Sequence, residues 1–276
     1  MRRELLPEQS PGLLRELHLL TRDGKLNADA LRKLKQVNHL VGLLRPALED
    51  VFQRFADPVV VDAGSGNAYL GFVLYELFWK GLDKGRLVSI EAKPELSERA
   101  KGRAEALGYA RMEFATGSLG AAPWPERPHL VLALHACDTA TDDALAAAVR
   151  RNSDHIAVVP CCQAEVARQL EERGGVASPA MRALFERPWH RREFGSHLTN
   201  VVRALALEAH GYRVTVTELT GWEHSLKNEL ILAKKVRRED AAAKAQLDQL
   251  LAETGVLPSL VRQLARPPPL SRRTRG

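Results

Sequence analysis

Three groups of residues in this sequence have the types and spacing to do chemistry together. They are an acid beside a glycine turn, a second acid at the end of the next strand-like run, and three cysteines in two short loops. Asp62 closes the β-branched run Val59-Val60-Val61 and is followed by Ala63-Gly64-Ser65-Gly66-Asn67-Ala68-Tyr69-Leu70, the order strand, glycine turn, helix. Glycines let a backbone approach a ligand closely, and a helix start presents unpaired N–H groups, so the turn suits a nucleoside or a phosphate. A dinucleotide fingerprint would need a third glycine where Tyr69 stands, and no Gly-Lys-Ser/Thr ending follows that would make a phosphate loop. Glu91 ends the run Arg86–Ile90, where a carboxylate can accept both hydroxyls of a ribose.

The cysteines lie in Leu134-His135-Ala136-Cys137-Asp138-Thr139-Ala140-Thr141-Asp142 and in Pro160-Cys161-Cys162-Gln163. Each loop follows an apolar run, so in a parallel sheet both open on the carboxyl edge, beyond the point where strand order reverses. Three chemistries fit. Zinc would use the Cys and His side chains, although adjacent cysteines chelate one metal poorly and no C-x-x-C spacing is present, so no metal is assigned. A nucleophilic cysteine would need a lowered thiol pKa. Otherwise the small residues allow close approach of ligands, with Asp138 or His135 as the polar contacts.

The elements that must position these groups alternate along the chain. Apolar runs at 59–63, 86–90, 112–115, 130–134 and 155–159 read as parallel strands separated by helices over 94–107 and about 139–151, the latter capped by Thr139 or Thr141. A helix over about 198–210 ends at Gly211, and runs at 212–219 and 229–233 form an antiparallel pair that closes the sheet. Seven strands, the first five parallel with a final hairpin, predict an α/β Rossmann-like sheet. Before it, Leu31, Leu34, Val37, Leu40, Val41, Leu44, Leu48, Val51 and Phe52 make one amphipathic stripe, with Asn27 as its cap and Pro46 expected to kink or break it. Lys35, Gln36, Asn38 and His39 lie off that stripe. The expected organisation is a helical N-terminal extension over 1–57, the α/β domain over 58–236, and over 237–276 a helical segment interrupted at Gly255 and Pro258 with a basic, disordered tail.

At 276 residues the chain can bury a full core, and it has no apolar run of transmembrane length and no signal-peptide core. Three cysteines outside any disulfide framework suit a reducing cytoplasm. The net charge of +6 is unevenly spread. Residues 1–56 hold ten Lys/Arg against seven Asp/Glu, residues 237–276 eight against four, and the middle is close to neutral. Basic ends around a neutral middle suit either phosphate contacts with RNA or a merely solubilising surface.

D-x-G-x-G-N-A-Y-L at Asp62–Leu70, L-H-A-C-D-x-A-T-D at Leu134–Asp142 and P-C-C at Pro160–Cys162 together resemble one branch of the class I S-adenosylmethionine-dependent methyltransferases. That branch includes the tRNA acceptor-stem ribose 2′-O-methyltransferases and the glutathione-S-transferase-C-terminal-domain-containing proteins. The later Glu223–Asn228 segment (EHSLKN) is similar to the branch's Thr-Pro-Lys-Asn-like turn, with Ser225-Leu226 in place of Thr-Pro. The resemblance spans about residues 25–236. Two departures stand out: the zinc modules of the tRNA-active members have no counterpart here, and those enzymes tend to carry glycine where Asp138 stands.

The resemblance implies S-adenosylmethionine as cofactor. Its methionine part would sit on Gly64, Ser65 and Gly66, with Asp62, Asn67, Tyr69, Leu70 and His135 around it. The ribose would meet Glu91 beside Ala92, and the adenine would lie near Ser118. Asp138 or His135 would take the proton of a hydroxyl or amine acceptor. Cys137, Cys161 and Cys162 would face the substrate. Independently of the resemblance, the amphipathic N-terminal helix suits either a lid over the cofactor, with Lys35 or Asn38 reaching the substrate, or a docking helix with those residues on its solvated face. RNA, tRNA or rRNA, is the expected substrate. A small-molecule acceptor and a non-catalytic S-adenosylmethionine-binding protein are the alternatives.

Overall fold

The computed structural model describes residues 4–6, 8, 11–17, 19–20, 28–134, 136–161, 163–172, 182, 185–219 and 229–266. A strand buried on both faces has no use for alternating polar residues, and the first one, β1 (Val59–Ala63), has every residue buried. It pairs in parallel with β2 (Arg86–Glu91) and with β4 (Leu130–Ala133), Val60 lying opposite Leu87 on one side and Leu130 on the other. β3 (Met112–Thr116) extends the sheet beyond β2, and β5 (His155–Val158) extends it beyond β4. The last pair, β6 (Tyr212–Glu218) and β7 (Glu229–Lys235), is antiparallel, with β7 inserted between β5 and β6. The resulting seven-stranded order is β3-β2-β1-β4-β5-β7-β6. It is the Rossmann-like seven-stranded sheet that the sequence pattern predicted.

Helices cover both faces. On one lie α1 (Pro11–Glu16), α2 (Ala28–Arg54), α3 (Tyr69–Leu74) with its π-helical continuation Tyr75–Trp79, and α4 (Pro94–Ala106). On the other lie α5 (Thr139–Arg150), α6 (Glu165–Glu172), α7 (Pro188–Ala209), α8 (Ala241–Thr254) and α9 (Ser259–Leu264). Leu40, Val41, Leu44, Leu48 and Val51 of α2 are buried in the same core as Val60, Leu130 and Leu132 of the sheet. Three of those leucines and valines alone remove enough apolar surface to supply roughly 5 kcal/mol.

Three local expectations are corrected. Pro46 does not break α2, which runs unbroken from Ala28 to Arg54. Pro46 and Gly42, the residue whose carbonyl it deprives of a partner, both face solvent, where water satisfies that oxygen and the buried stripe keeps its contacts. Neither Thr139 nor Thr141 caps α5: Asp138 holds the cap position, and the Thr141 hydroxyl donates to Ala136 O. α7 begins ten residues before the expected Leu198, with Pro188 in its first turn, where a missing N–H costs nothing. Its early residues lack an apolar period, so the pattern hid them. Asn27, the expected cap of α2, lies outside the described residues.

Candidate functional site

The carboxyl ends of β1, β2 and β4 meet at the glycine turn. Gly64 N and Ser65 N both donate to Ile90 O, at 2.8 and 3.0 Å, which ties the turn to the neighbouring strand. Gly64 and Gly66 have φ of 69° and 56°, values that L side chains seldom adopt. A Cβ at Gly64 would already touch Ala136 Cβ at 3.5 Å, so the turn and the loop after β4 are in contact. Glu91 closes the turn from below. Its two carboxylate oxygens accept from Gly66 N at 2.8 Å and Lys93 N at 3.0 Å. Each oxygen has a second lone pair, so the carboxylate is held in place and can still accept ligand hydroxyls. Gly117 N donates to Glu91 O, which brings the exposed Ser118 turn beside it, while Ala92 is exposed immediately after it.

Asp62 is 4% exposed, and no cation pairs with it among the described residues. Burial raises its pKa to about 7, Glu91 adds to the rise, and a backbone hydrogen bond from Gly71 opposes it. A cationic ligand beside this carboxyl would supply the counter-charge that the described residues do not, and would favour its ionised form. Gly71 makes this geometry possible and was missed by motif reading. A Cβ there would fall 2.9 Å from Met112 Cε and 3.3 Å from Asp62 Oδ2. The signal was available, since glycine in a helical first turn usually marks close packing. Ala68, not Tyr69, holds the left-handed position of the turn, with φ 55° and ψ 28°. Tyr69 and Leu70 are half-buried against the α2 core, and Asn67 is exposed. Burial pushes the Tyr69 phenol up to about 12, and its hydroxyl has no hydrogen-bond partner among the described residues.

The loops after β4 and β5 come together as expected. Cys137 and Cys161 form a parallel bridge with their Sγ atoms 3.4 Å apart, and Asp138 N donates to Cys161 O. His135 and Cys162, and the Glu223–Asn228 turn, lie outside the described residues. Asp138 is placed differently from a waiting general base. Its carboxylate accepts from Ala164 N at 3.1 Å and Glu165 N at 3.4 Å, the start of α6, and meets Arg168 at 3.4 Å. Its backbone has φ 47° and ψ −118°, a glycine-like conformation at the position where the resembled enzymes tend to carry glycine.

Arg203 holds this loop from behind and was not singled out in the sequence. It is 1% exposed, donates to Asp138 O at 2.9 Å and Asn200 Oδ1 at 3.1 Å, and pairs with Asp142 at 2.7 Å. Burial raises the Asp142 pKa while Arg203 lowers it. An arginine inside the apolar stripe of α7 was the legible hint. On α2, Lys35 is exposed, and Asn38 is committed elsewhere: its amide oxygen accepts from Leu5 N and its amide nitrogen donates to Leu5 O. Asn38 therefore pins the N-terminal segment and does not reach an acceptor.

A family model described as a methyltransferase domain matches residues 32–169. The chain belongs to this family. This chain is 28% identical over 238 residues to the mouse glutathione S-transferase C-terminal domain-containing protein, and 27% identical to the human one. Each match covers 76% of this chain and 34% of the relative, so the chain spans about a third of their length. Among solved structures, an rRNA methylase from Streptococcus thermophilus covers 71% of this chain and 96% of its own, with 12% identity and a TM-score of 0.45. The residues present fit S-adenosylmethionine as a methyl donor, because Asp62 would supply a partner for a cationic ligand and Glu91 a fixed acceptor for ribose hydroxyls. No helix among the described residues is long and apolar enough to cross a membrane.

Proposed function

We propose that this methyltransferase transfers the methyl group of S-adenosylmethionine to RNA, in the cytoplasm. The observation that carries the RNA reading is the placement of charge, with basic surpluses in residues 1–56 and 237–276 around a nearly neutral middle. Phosphates are the partners such a distribution attracts. Gly64, Ser65, Gly66 and Asp62 hold the methionine end of the donor, Glu91 the ribose, and the Ser118 turn the adenine side. The Tyr69 hydroxyl is a neutral donor awaiting a partner at the same turn. The donor supplies an electrophilic methyl group on a sulfonium, and the domain supplies alignment, which is worth several kcal/mol in a displacement of this kind.

On the acceptor side, the Asp138 carboxylate is spent on the start of α6, so Asp138 is a positioning residue that sets the loop between Cys137 and α5. His135 is the general base for the acceptor proton, the role imidazole fills near neutral pH. Cys137 and Cys161 border the acceptor as small, polarisable walls. The test is mass spectrometry of RNA nucleosides from cells with and without the chain. Loss of one methylated nucleoside supports the proposal. An unchanged RNA methylation profile, with the chain expressed and S-adenosylmethionine bound, overturns it.

A further inference from the structure

α7 carries an aromatic group in an unexpected place. Its middle is fastened at the carboxyl edge of the sheet, where Arg203 reaches Asp138 and Asn200 donates to Glu229 at the start of β7. Its end runs to the opposite edge, where Tyr212 donates to Ser153 O just before β5. The residues before Asn200 therefore project past the carboxyl edge, on the side from which an acceptor approaches the methyl group. With a rise of about 1.5 Å per residue, Trp189 stands about 16 Å beyond Asn200 along the helix axis.

Trp189 is 57% exposed, the most exposed large apolar side chain among the described residues. Arg192, one turn on, lies over its ring with the guanidinium carbon 4.5 Å from the centroid. Arg192's ion pair is a 3.3 Å contact with its neighbour Glu193. Arg187 and His190 stand on either side of Trp189 in the sequence, both exposed and without an ion pair to a described residue. Arg191, by contrast, is turned inward onto Phe185 O and Glu171. The next exposed large apolar residue of α7 is Val201, more than three turns away, so α7 offers no contiguous apolar patch among the described residues. An isolated, cation-backed indole among arginines matches a nucleobase with phosphates on either side.

We propose that Trp189 and Arg192 form a stacking platform for an unpaired base of the RNA, with Arg187 and His190 taking the adjacent phosphates. This rests on the RNA reading above and assigns the platform to a nucleotide away from the methylated one. It binds substrate and does no chemistry. The test is fluorescence anisotropy of the 276-residue chain with a labelled, mixed-sequence single-stranded RNA, competed with total tRNA. Trp189→Ala weakens binding roughly 5- to 100-fold, Trp189→Phe restores most of it, and Arg187→Ala lowers the salt slope by about one. S-adenosylmethionine affinity, read by calorimetry, stays at the wild-type value in all three and reports that they fold. Salt-sensitive RNA binding by the wild type with Trp189→Ala within twofold of it overturns the platform and leaves the RNA reading standing. A wild type that binds neither RNA at low salt, with S-adenosylmethionine binding intact, overturns both.

Discussion

Asp62→Asn should make the ligand-free chain more heat-stable at pH 8 while destroying its affinity for S-adenosylmethionine. The folded carboxyl titrates at about 7, against an ordinary value of 3.8, because it is buried without a cation and faces Glu91. Between those two values the native state holds a proton that the unfolded chain has lost. Stability from this group is therefore complete below about pH 4 and falls as pH rises through 7. At pH 8 the full cost is on the order of 4 kcal/mol, taking 1.36 kcal/mol per unit. Asparagine removes that cost and can still accept the Gly71 N–H, but its amide N–H groups enter a buried site without partners, at about 1–3 kcal/mol. The net gain at pH 8 is about 2 kcal/mol, or roughly 4–8 °C in melting temperature for a domain of this size. Near pH 4.5 the wild-type penalty is mostly gone, and the variant should melt at or below the wild type. Scanning calorimetry at both pH values reads the crossover. Calorimetric titration of the wild type at pH 6, in two buffers of different ionisation enthalpy, should show release of nearly one proton as S-adenosylmethionine binds. A variant that melts lower than the wild type by the same margin at both pH values, or binding without proton release, refutes the reasoning.

The acceptor-side loop makes three further predictions. Asp138→Ala loses the cap on α6 and keeps the positive φ, whereas Asp138→Gly loses the cap and relieves the strain, so in urea melts the glycine variant should be the more stable by about 1 kcal/mol. Arg203→Met should cost about 3–5 kcal/mol by leaving Asp142 buried without its partner, and pairing it with Asp142→Leu should recover most of that loss. Mild oxidation with diamide should yield a Cys137–Cys161 linked peptide in a non-reducing digest, and a digest holding no such peptide contradicts the 3.4 Å pairing.

Legibility in the sequence followed the range of the interactions. The run Val59–Val61, the two glycines and Glu91 announce their places in the fold through residue type and immediate neighbours, and the structure puts them in a buried strand, a turn and a strand end as that pattern demanded. Pro46 misled because the cost of a proline depends on which face it occupies, and the face is set by packing against strands far along the chain. The start of α7 was hidden because Pro188–Gly195 shows no apolar period. Gly195 does matter there, since a Cβ would fall 2.9 Å from the backbone of Ala167, but that reason lies on another helix. Asn38 looked like a solvent-facing polar group until Leu5, 33 residues earlier, was seen to occupy both ends of its amide.

The same distinction runs through the site itself. The proposed donor half is made by three adjacent strand ends and held by hydrogen bonds that are mostly backbone to backbone, so almost any apolar strands with the right turn would reproduce its backbone. The proposed acceptor half hangs on side chains that reach across helices: Asp138 onto α6, and Arg203 onto the Asp138 carbonyl and Asp142. Replacing one such side chain can therefore reshape what the site accepts while the donor stays bound, and this is how one sheet can serve different acceptors. For this chain it follows that substitutions at Asp138 should move acceptor KM and rate without moving S-adenosylmethionine affinity, whereas those at Asp62 should lower S-adenosylmethionine affinity, and the rate with it, without moving acceptor binding. Measuring both quantities on both variants separates the two halves. Equal loss of donor affinity in Asp138→Gly and Asp62→Asn would show that the loop after β4 supports the donor site, and that the division between the halves is false.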